Sequence, residues 1–143
     1  MKIIEPTSPE EFEKYYKLRW EVLRAPWGKP EGTEKDELEL QSIHALAIDD
    51  AENAIGVVRL NGLSKNEAQI RYMGVKNEYA GKGIGSLLIN HIENKSKEAG
   101  YSSIILHSRE NAVEFYLRND YQLIKPSYLM WGEIQHFLMQ KLF

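Results

Sequence analysis

Residues 79–116 read YAGKGIGSLLINHIENKSKEAGYSSIILHSRENAVEFY and place three glycines within five positions, at 81, 83 and 85. Apolar residues then recur at helical spacing, and Gly100 stands where a helix usually stops. The first turn of a helix has amide groups without intrahelical partners, and the helix dipole adds partial positive charge there. Glycine keeps no side chain in the way of an anion and tolerates positive φ. The loop therefore predicts either a phosphate cradle or a tight strand-to-helix turn.

The glycine spacing does not fit the common nucleotide-binding loops. A nucleoside triphosphate loop ends in Gly-Lys-Ser/Thr, which the chain lacks, and the dinucleotide motif Gly-x-Gly-x-x-Gly fails because Leu88 takes the third glycine position. The strand candidates before the loop, SIHALAID, AIGVVRL and AQIRYMGV, predict an antiparallel meander instead of a parallel strand-helix-strand unit. The glycines alone leave the cradle and the plain turn equally open.

The remaining pattern predicts one mixed domain spanning residues 1–143. A strand, KIIE, and a helix with Ser8 as its cap and Pro9 in first position precede the meander. After the long helix, YSSIILHS predicts a buried strand, RENAVEFYLRND a short helix, and YQLI and EIQHFLMQKLF two more strands. Residues 25–40 and 125–132 carry the weakest patterns and are predicted to be irregular.

Composition narrows the class of protein. The chain has 143 residues, of which 43% are hydrophobic and 27% charged, as in a globular protein with one core. The net charge of −3 gives no support for a nucleic-acid partner, and no apolar run approaches the length of a membrane span or signal peptide. We therefore expect a cytoplasmic protein. It has no cysteine and no paired-histidine spacing, so we expect neither a thiolate nucleophile nor a metal site.

Residues 68–124 carry a more specific pattern. A strand ends in Met73-Gly74-Val75, a long helix starts inside the glycine loop, and a further strand and an Asn-x-x-x-Phe-Tyr helix follow. In order and spacing these elements resemble the GNAT superfamily of acyl-CoA-dependent N-acyltransferases. The segments LRWEVLRAPWGKPEGTEKDELE and GEIQHFLMQK are similar to its ElaA-like branch. The resemblance implies an α/β (α+β) fold, in which helices flank a mixed, mostly antiparallel sheet whose splayed strands form an acyl-CoA cleft.

The resemblance also implies how acetyl-CoA binds. The backbone of Met73, Gly74 and Val75 would pair with the pantetheine arm, and Asn111 would bond near the thioester. Backbone amides of the loop would hold the pyrophosphate. The loop residues implied in this contact are Ala80, Gly81, Lys82, Gly83, Ile84, Gly85 and Ser86. Ala80 replaces the family's usual Arg or Gln, and its backbone N–H is expected to keep that contact.

Acyl transfer to an amine requires a neutral amine, a stabilised oxyanion and a proton for the thiolate. Tyr116 occupies the position of the family's general acid and would also contact the cofactor, although sequence pattern alone favours an aromatic pair packed with Phe115. His107, which closes the strand before the short helix, is the predicted base. His44, His136 and Glu67 are the alternatives.

The acceptor pocket is the least defined part of the prediction. Arg59, in an otherwise apolar strand, is expected either to bind a substrate carboxylate or to lie on an exposed face beside Glu67 or a neighbouring acid. His44, Trp27 and Tyr128 are further candidates. We predict an acetyl-CoA-dependent N-acetyltransferase, monomer or homodimer, that acetylates a primary amine of a small molecule or peptide by direct attack in a ternary complex. The alternative is a catalytically inactive acyl-CoA-binding sensor or partner domain.

Overall fold

The computed structural model describes residues 1–143 as a seven-stranded sheet flanked by three helices. The helices are α1 (Pro9–Leu23), α2 (Ile84–Glu98) and α3 (Val113–Arg118). The strands are β1 (Lys2–Ile4), β2 (Ile43–Ile48), β3 (Ala54–Gly62), β4 (Glu67–Val75), β5 (Ser103–Arg109), β6 (Gln122–Met130) and β7 (Ile134–Leu142). The sheet order is β1-β2-β3-β4-β5-β7-β6, and only the β4–β5 pair is parallel. The predicted mixed, mostly antiparallel sheet is confirmed.

The helices begin where local chemistry places them and cover both faces of the sheet. At α1, Glu11 N–H donates to Ser8 Oγ (3.1 Å) and the Ser8 N–H donates to the Glu11 carboxylate (3.2 Å), which forms a capping box. Tyr15 and Leu18 of α1 belong to a buried cluster on one face, and α2 packs into the larger cluster on the other. None of the helices combines the length and the apolar character that crossing a bilayer requires.

The prediction of irregular structure is wrong for one of the two segments. Residues 25–40 do form turns, with short 3₁₀ segments at Ala25–Trp27 and Glu39–Gln41, but most of 125–132 belongs to strand β6. The pairing of β6 with β7 is interrupted twice, between Leu123 and Lys125 and between Pro126 and Leu129. Proline cannot donate to a ladder and is tolerated on an edge strand, so the strand continues through a sequence without regular alternation.

The centre of the sheet opens into a cleft. β4 and β5 pair only over Glu67–Gln69 and Ser103–Ile105, and beyond these residues both strands continue without bonding to each other. β4 also carries a register shift against β3 at Tyr72, whose φ is +56°. A bulge of this kind bends the strand and re-aims its side chains. The predicted splay of the strands is confirmed.

Candidate active site

The opening between β4 and β5 contains a cavity of about 380 Å³. The diverging halves of both strands form two of its walls, and the end of α1, the start of α3, and β6 and β7 supply the others. Five residues predicted for the site line it: Met73, His107, Tyr116, Tyr128 and His136. The chain thus brings catalytic, cofactor and acceptor candidates to one place.

The glycine loop presents backbone donors that the protein itself leaves unused. Gly81 (φ +75°) and Gly83 (φ +82°) are left-handed, and Gly83 is the N-cap of α2 with no side-chain capping bond. None of the six consecutive amides of residues 81–86 donates a hydrogen bond within the protein. Successive free N–H groups at a helix N-terminus are suited to an oxyanion such as a phosphate. The side chain of Ser86 instead accepts from Asn119 Nδ2 at 3.3 Å.

Gly85 serves a different purpose from its neighbours. A Cβ at this position would lie 2.9 Å from Cε1 of Phe115 and 3.4 Å from Cε of Met73. Because no side chain stands between them, α3 can pack directly against the start of α2. The glycine therefore sets the position of α3, and with it the position of Tyr116.

Tyr116 is both a packed aromatic and a candidate proton donor. It is buried, and its ring meets Phe115 (5.0 Å) and Tyr121 (5.9 Å) in edge-to-face contacts. Its hydroxyl makes no hydrogen bond with the protein, and the residue lines the cavity. Burial raises the pKa of this phenol well above its ordinary value, and the nearby Arg109 only partly opposes the shift. The hydroxyl is therefore protonated at neutral pH and available to a ligand.

Two histidines share another wall with Tyr128. The Tyr128 ring stacks on His136 at 4.4 Å and lies 5.4 Å from His107. The Nδ1–H of neutral His136 donates to the Ile134 carbonyl (2.9 Å), which leaves the Nε2 lone pair without a protein donor. The Nδ1 atom of His107 is buried and has no partner. Burial lowers the pKa of both histidines, so both are neutral at pH 7 and able to accept a proton.

Comparison with known proteins identifies the family. The sequence model of the acetyltransferase (GNAT) family matches residues 12–121. The chain belongs to the GNAT family. With N-acetyltransferases among its relatives, it is an acyl-CoA-dependent N-acetyltransferase. The relatives include the uncharacterized N-acetyltransferase YjcF of Bacillus subtilis (strain 168), which is 25% identical over 141 residues covering 99% of each chain.

Solved structures share the fold over nearly the whole chain. An aminoglycoside 6′-N-acetyltransferase complexed with coenzyme A matches with a TM-score of 0.84 and 16% identity, covering 99% of this chain and 97% of that one. ElaA of Escherichia coli matches with a TM-score of 0.80 and 16% identity, covering 98% and 97%. Since both resemble this GNAT chain to a similar degree, the fold does not select the ElaA-like branch, which stays a prediction.

Two acceptor candidates of this GNAT domain lie outside the cavity lining, in a buried polar network. Arg59 is fully buried and donates to both carboxylate oxygens of Asp36 (2.6 and 3.0 Å) and to Glu39 (2.8 Å). His44 bonds to Tyr15 through Nδ1 and to the Glu39 carbonyl through Nε2, both at 2.8 Å. Arg59 therefore has acidic partners, but it lies neither on an exposed face nor in position to bind a substrate carboxylate. The segment after α1 folds back over β3 and supplies carboxylates that no local pattern reveals.

Other candidates also fall outside the cavity. Asn111 is exposed on a 3₁₀ turn, and its neighbour Ala112 forms the wall there. The Ala80 amide donates to the Asn77 carbonyl (3.1 Å), so it is not free as expected. Trp27 is 42% exposed and lies 6.3 Å from Trp131, outside the cavity lining.

Lys82 and Glu67 also lie outside the cavity lining. Lys82 is exposed at the loop, with its ammonium 5.3 Å from the Tyr79 ring. Glu67 starts β4 where that strand pairs with β5, outside the cavity lining, and its carboxylate accepts from Ser103 and Gln140. Lys82 is therefore placed to reach an anion held by the loop, whereas Glu67 is not placed to act as the base.

Sequence reasoning missed the arginines of the cavity. Arg24 reaches it from the C-cap of α1, and Arg71 and Arg109 reach it from β4 and β5. A usable signal existed for Arg109, because strand side chains alternate and residues two apart share a face. His107 was predicted at the cleft, so Arg109 belongs on the same side. Arg24 offered no such signal, since it lies where α1 ends and the next turn begins.

Proposed function

We propose that this protein transfers an acetyl group from acetyl-CoA to a primary amine of a small molecule, by direct attack in a ternary complex. The observation that carries the proposal is the set of free amides at residues 81–86, beside a cleft lined by a protonated phenol and two neutral histidines. The coenzyme A bound in the related aminoglycoside enzyme supports a CoA thioester as the donor.

The chain offers separate contacts to the separate parts of such a donor. The amides of Gly81 to Ser86 would hold the pyrophosphate, since each is a free N–H at or before the start of α2. The edge of β4 that faces β5 has no strand partner beyond Gln69. Its backbone from Met73 to Val75 would pair with the pantetheine arm and would donate to the thioester oxygen as charge develops there.

The acceptor must lose a proton before or during attack. A lysine-like amine has a pKa of about 10.4 and is mostly protonated at neutral pH. His136 is the better placed base, because its Nδ1–H is held by the Ile134 carbonyl and its Nε2 lone pair is free. His107, whose nitrogens bond to nothing in the protein, is the second candidate. Either histidine would take one amine proton and later release it to solvent.

The leaving CoA thiolate also needs a proton or a hydrogen bond. Attack forms the C–N bond, the nitrogen of the adduct releases its second proton to solvent, and collapse of the adduct breaks the C–S bond and releases the CoA thiolate. Tyr116 would donate a hydrogen bond or a proton to this sulfur and then be reprotonated from solvent. The pKa of the buried phenol lies above that of an ordinary thiol, which is about 8.5. Complete transfer of the phenol proton to the thiolate is therefore uphill unless solvent reprotonates the phenol. Its main contribution is then to stabilise the thiolate as it forms.

The test is steady-state release of CoA thiol with acetyl-CoA and a panel of primary amines. Tyr116→Phe is expected to lower kcat by roughly 100-fold, a typical contribution of a positioned acid, with CoA affinity unchanged. Tyr121→Phe is the matched control, since its hydroxyl donates to Glu93 (2.8 Å) and the residue does not line the cavity. Equal effects of both substitutions would contradict the acid role. CoA binding without turnover of any amine would favour an inactive sensor domain.

A further inference from the structure

The cavity wall carries three guanidinium groups and no carboxylate. Arg24, Arg71 and Arg109 line it, together with apolar, aromatic and neutral polar residues, and no Asp or Glu does. We propose that the acceptor is an amine that also bears a carboxylate, as an amino acid does, and that these arginines bind that carboxylate. The inference rests on the proposed function, because it names the amine that the same site acetylates.

Two of these arginines have no carboxylate of the protein within salt-bridge distance, although Glu34 acts on Arg24 from farther away. Arg24 is 5% exposed, yet its Nε and Nη1 donate only to the carbonyls of Thr33 and Leu23, both at 3.0 Å. Arg109 donates from Nη2 to the same Leu23 carbonyl at 3.0 Å. Neither takes part in any salt bridge. A shared oxygen therefore holds two cations side by side, and three of their nitrogens are left for a ligand: Arg24 Nη2 and Arg109 Nε and Nη1.

The other buried arginines of the fold, unlike Arg24 and Arg109, are paired with carboxylates. Arg19 and Arg59 are fully buried, and each has a carboxylate within 2.9 Å. Buried cations are normally paired in this way because leaving water without a partner is costly. Burial is the largest cause that lowers the pKa of both Arg24 and Arg109. Repulsion by Arg71 adds to it at Arg24, where Glu34 acts in the opposite sense, and repulsion by Arg24 adds to it at Arg109. A bound carboxylate would offset this repulsion.

The phosphates of CoA do not account for the arginines. Their proposed donors are the amides of residues 81–86, and none of those residues lines this cavity. Arg24 comes from the end of α1, and the cavity there continues to Tyr128 and His136 of β6 and β7. The cationic groups therefore stand with the proposed base, on the side where the amine must lie.

Arg71 plays a lesser part, because its Nη1 already donates to Asp36 Oδ2 at 2.9 Å. Its remaining donors can still face a ligand, since the side chain is 40% exposed. Asp36 holds the Arg71 guanidinium in place, and its negative charge offsets part of the positive charge that Arg71 presents to a ligand. Arg24 and Arg109 are accordingly the principal carboxylate ligands.

Charge also decides which amines the cavity excludes. Polyamines and aminoglycosides carry several ammonium groups at neutral pH, and a wall of guanidinium groups repels them. The acceptor named for the related aminoglycoside enzyme is therefore not the one this cavity favours. The same positive charge favours the neutral form of an incoming amine, since neighbouring cations lower an ammonium pKa. An amino acid is then both bound and activated by the same residues.

The test compares the twenty common amino acids, each with its own carboxamide. Binding to CoA-saturated protein is measured by calorimetry, and turnover with acetyl-CoA is measured on the same pairs. The carboxylate member of the preferred pair is expected to bind about 100-fold more tightly, as for a charge pair in a buried site. Arg109→Gln should reduce that preference to less than about tenfold, and Arg109→Lys should give an intermediate value because the charge remains without the fork.

The control is Arg118→Gln, an exposed arginine of α3 outside the cavity, which should keep the full preference. If Arg109 variants fold poorly, Arg24→Gln at the other principal ligand should likewise reduce the preference to less than about tenfold, and the wild-type comparison of each amino acid with its carboxamide decides the outcome without any variant. Carboxamides or kanamycin binding as well as amino acids, or no binding by any amino acid, would overturn the inference. Carboxylate-selective binding without turnover would support the anionic acceptor and contradict acetyl transfer. Turnover without a preference for carboxylates would support acetyl transfer and contradict the anionic acceptor.

Discussion

Replacing Gly83 by valine tests the phosphate cradle directly. Gly83 has φ +82° as the N-cap of α2, and a Cβ added there meets no atom within 4 Å. The substitution therefore introduces backbone strain without a steric clash. A β-branched residue is strongly disfavoured at positive φ, so the chain should turn toward negative φ. That rotation re-orients the peptide units on either side, which carry the amides of Gly83 and Ile84.

The expected loss of affinity follows from those two amides. A hydrogen bond to a charged group contributes about 1.5 kcal/mol at the low end, so losing two costs about 3 kcal/mol. This corresponds to binding that is roughly 100-fold weaker. The left-handed strain itself costs about 2 kcal/mol at most, which lowers the melting temperature by several degrees without unfolding the protein.

The assay is calorimetric titration of the wild type and Gly83→Val with CoA and with pantetheine, which lacks the pyrophosphate. Only CoA should lose affinity. Gly100→Val is the matched control: Gly100 follows the other end of α2, has φ +93°, and also has open space around its Cβ position. It should destabilise the protein similarly while leaving CoA binding intact.

Three results would refute this reasoning. Gly83→Val could bind CoA as tightly as the wild type, which would return the glycines to a simple turn. Pantetheine could lose as much affinity as CoA, which would mean that the whole cleft had changed. Gly100→Val could weaken CoA binding equally, which would trace the effect to stability alone.

Three further predictions concern the buried polar groups. Asp36→Ala should lower the free energy of unfolding in urea by about 3 kcal/mol, because it removes a partner of buried Arg59, whereas the same change at exposed Asp50 should have no measurable effect. If His136 is the base, the acid limb of kcat lies below pH 6.5, because burial lowers its pKa; a limb above pH 7, or one that survives His136→Gln, would exclude it. Burial also lowers the pKa of His44, so below pH 6.5 the unfolded chain binds protons first. Its contribution to stability is then complete above pH 6.5 and declines with acidification by at most about 1.4 kcal/mol per pH unit; His44→Gln should flatten this slope in thermal unfolding.

Much of the fold could be predicted because its signals are local. Ser8 and Pro9 specify the start of α1 through groups a few residues away, and alternation or helical spacing marks the other elements within single segments. The glycine loop is local in the same sense, because left-handed φ at Gly81 and Gly83 is a property of those residues themselves. The order of elements followed from these signals without knowledge of any contact.

Strand β6 could not be predicted from local sequence signals. Residues 125–132 have no regular alternation and contain Pro126, yet pairing with β7 holds most of them in a strand. The ion-pair partner of Arg59 could not be predicted from local sequence either. Its partner Asp36 lies 23 residues away, on a segment whose path the sequence pattern does not determine.

The sequence by itself determined the order of the elements and the glycine loop, because both depend on spacing along the chain. The roles predicted for His107 and Tyr116 followed from the resemblance to GNAT proteins. Only the tertiary structure decided which charges share the cleft. Arg24, Arg71 and Arg109 come from three different elements, and the divergence of β4 from β5 places them around one cavity. Charges interact through distance in space, and the fold, unlike the sequence, specifies that distance.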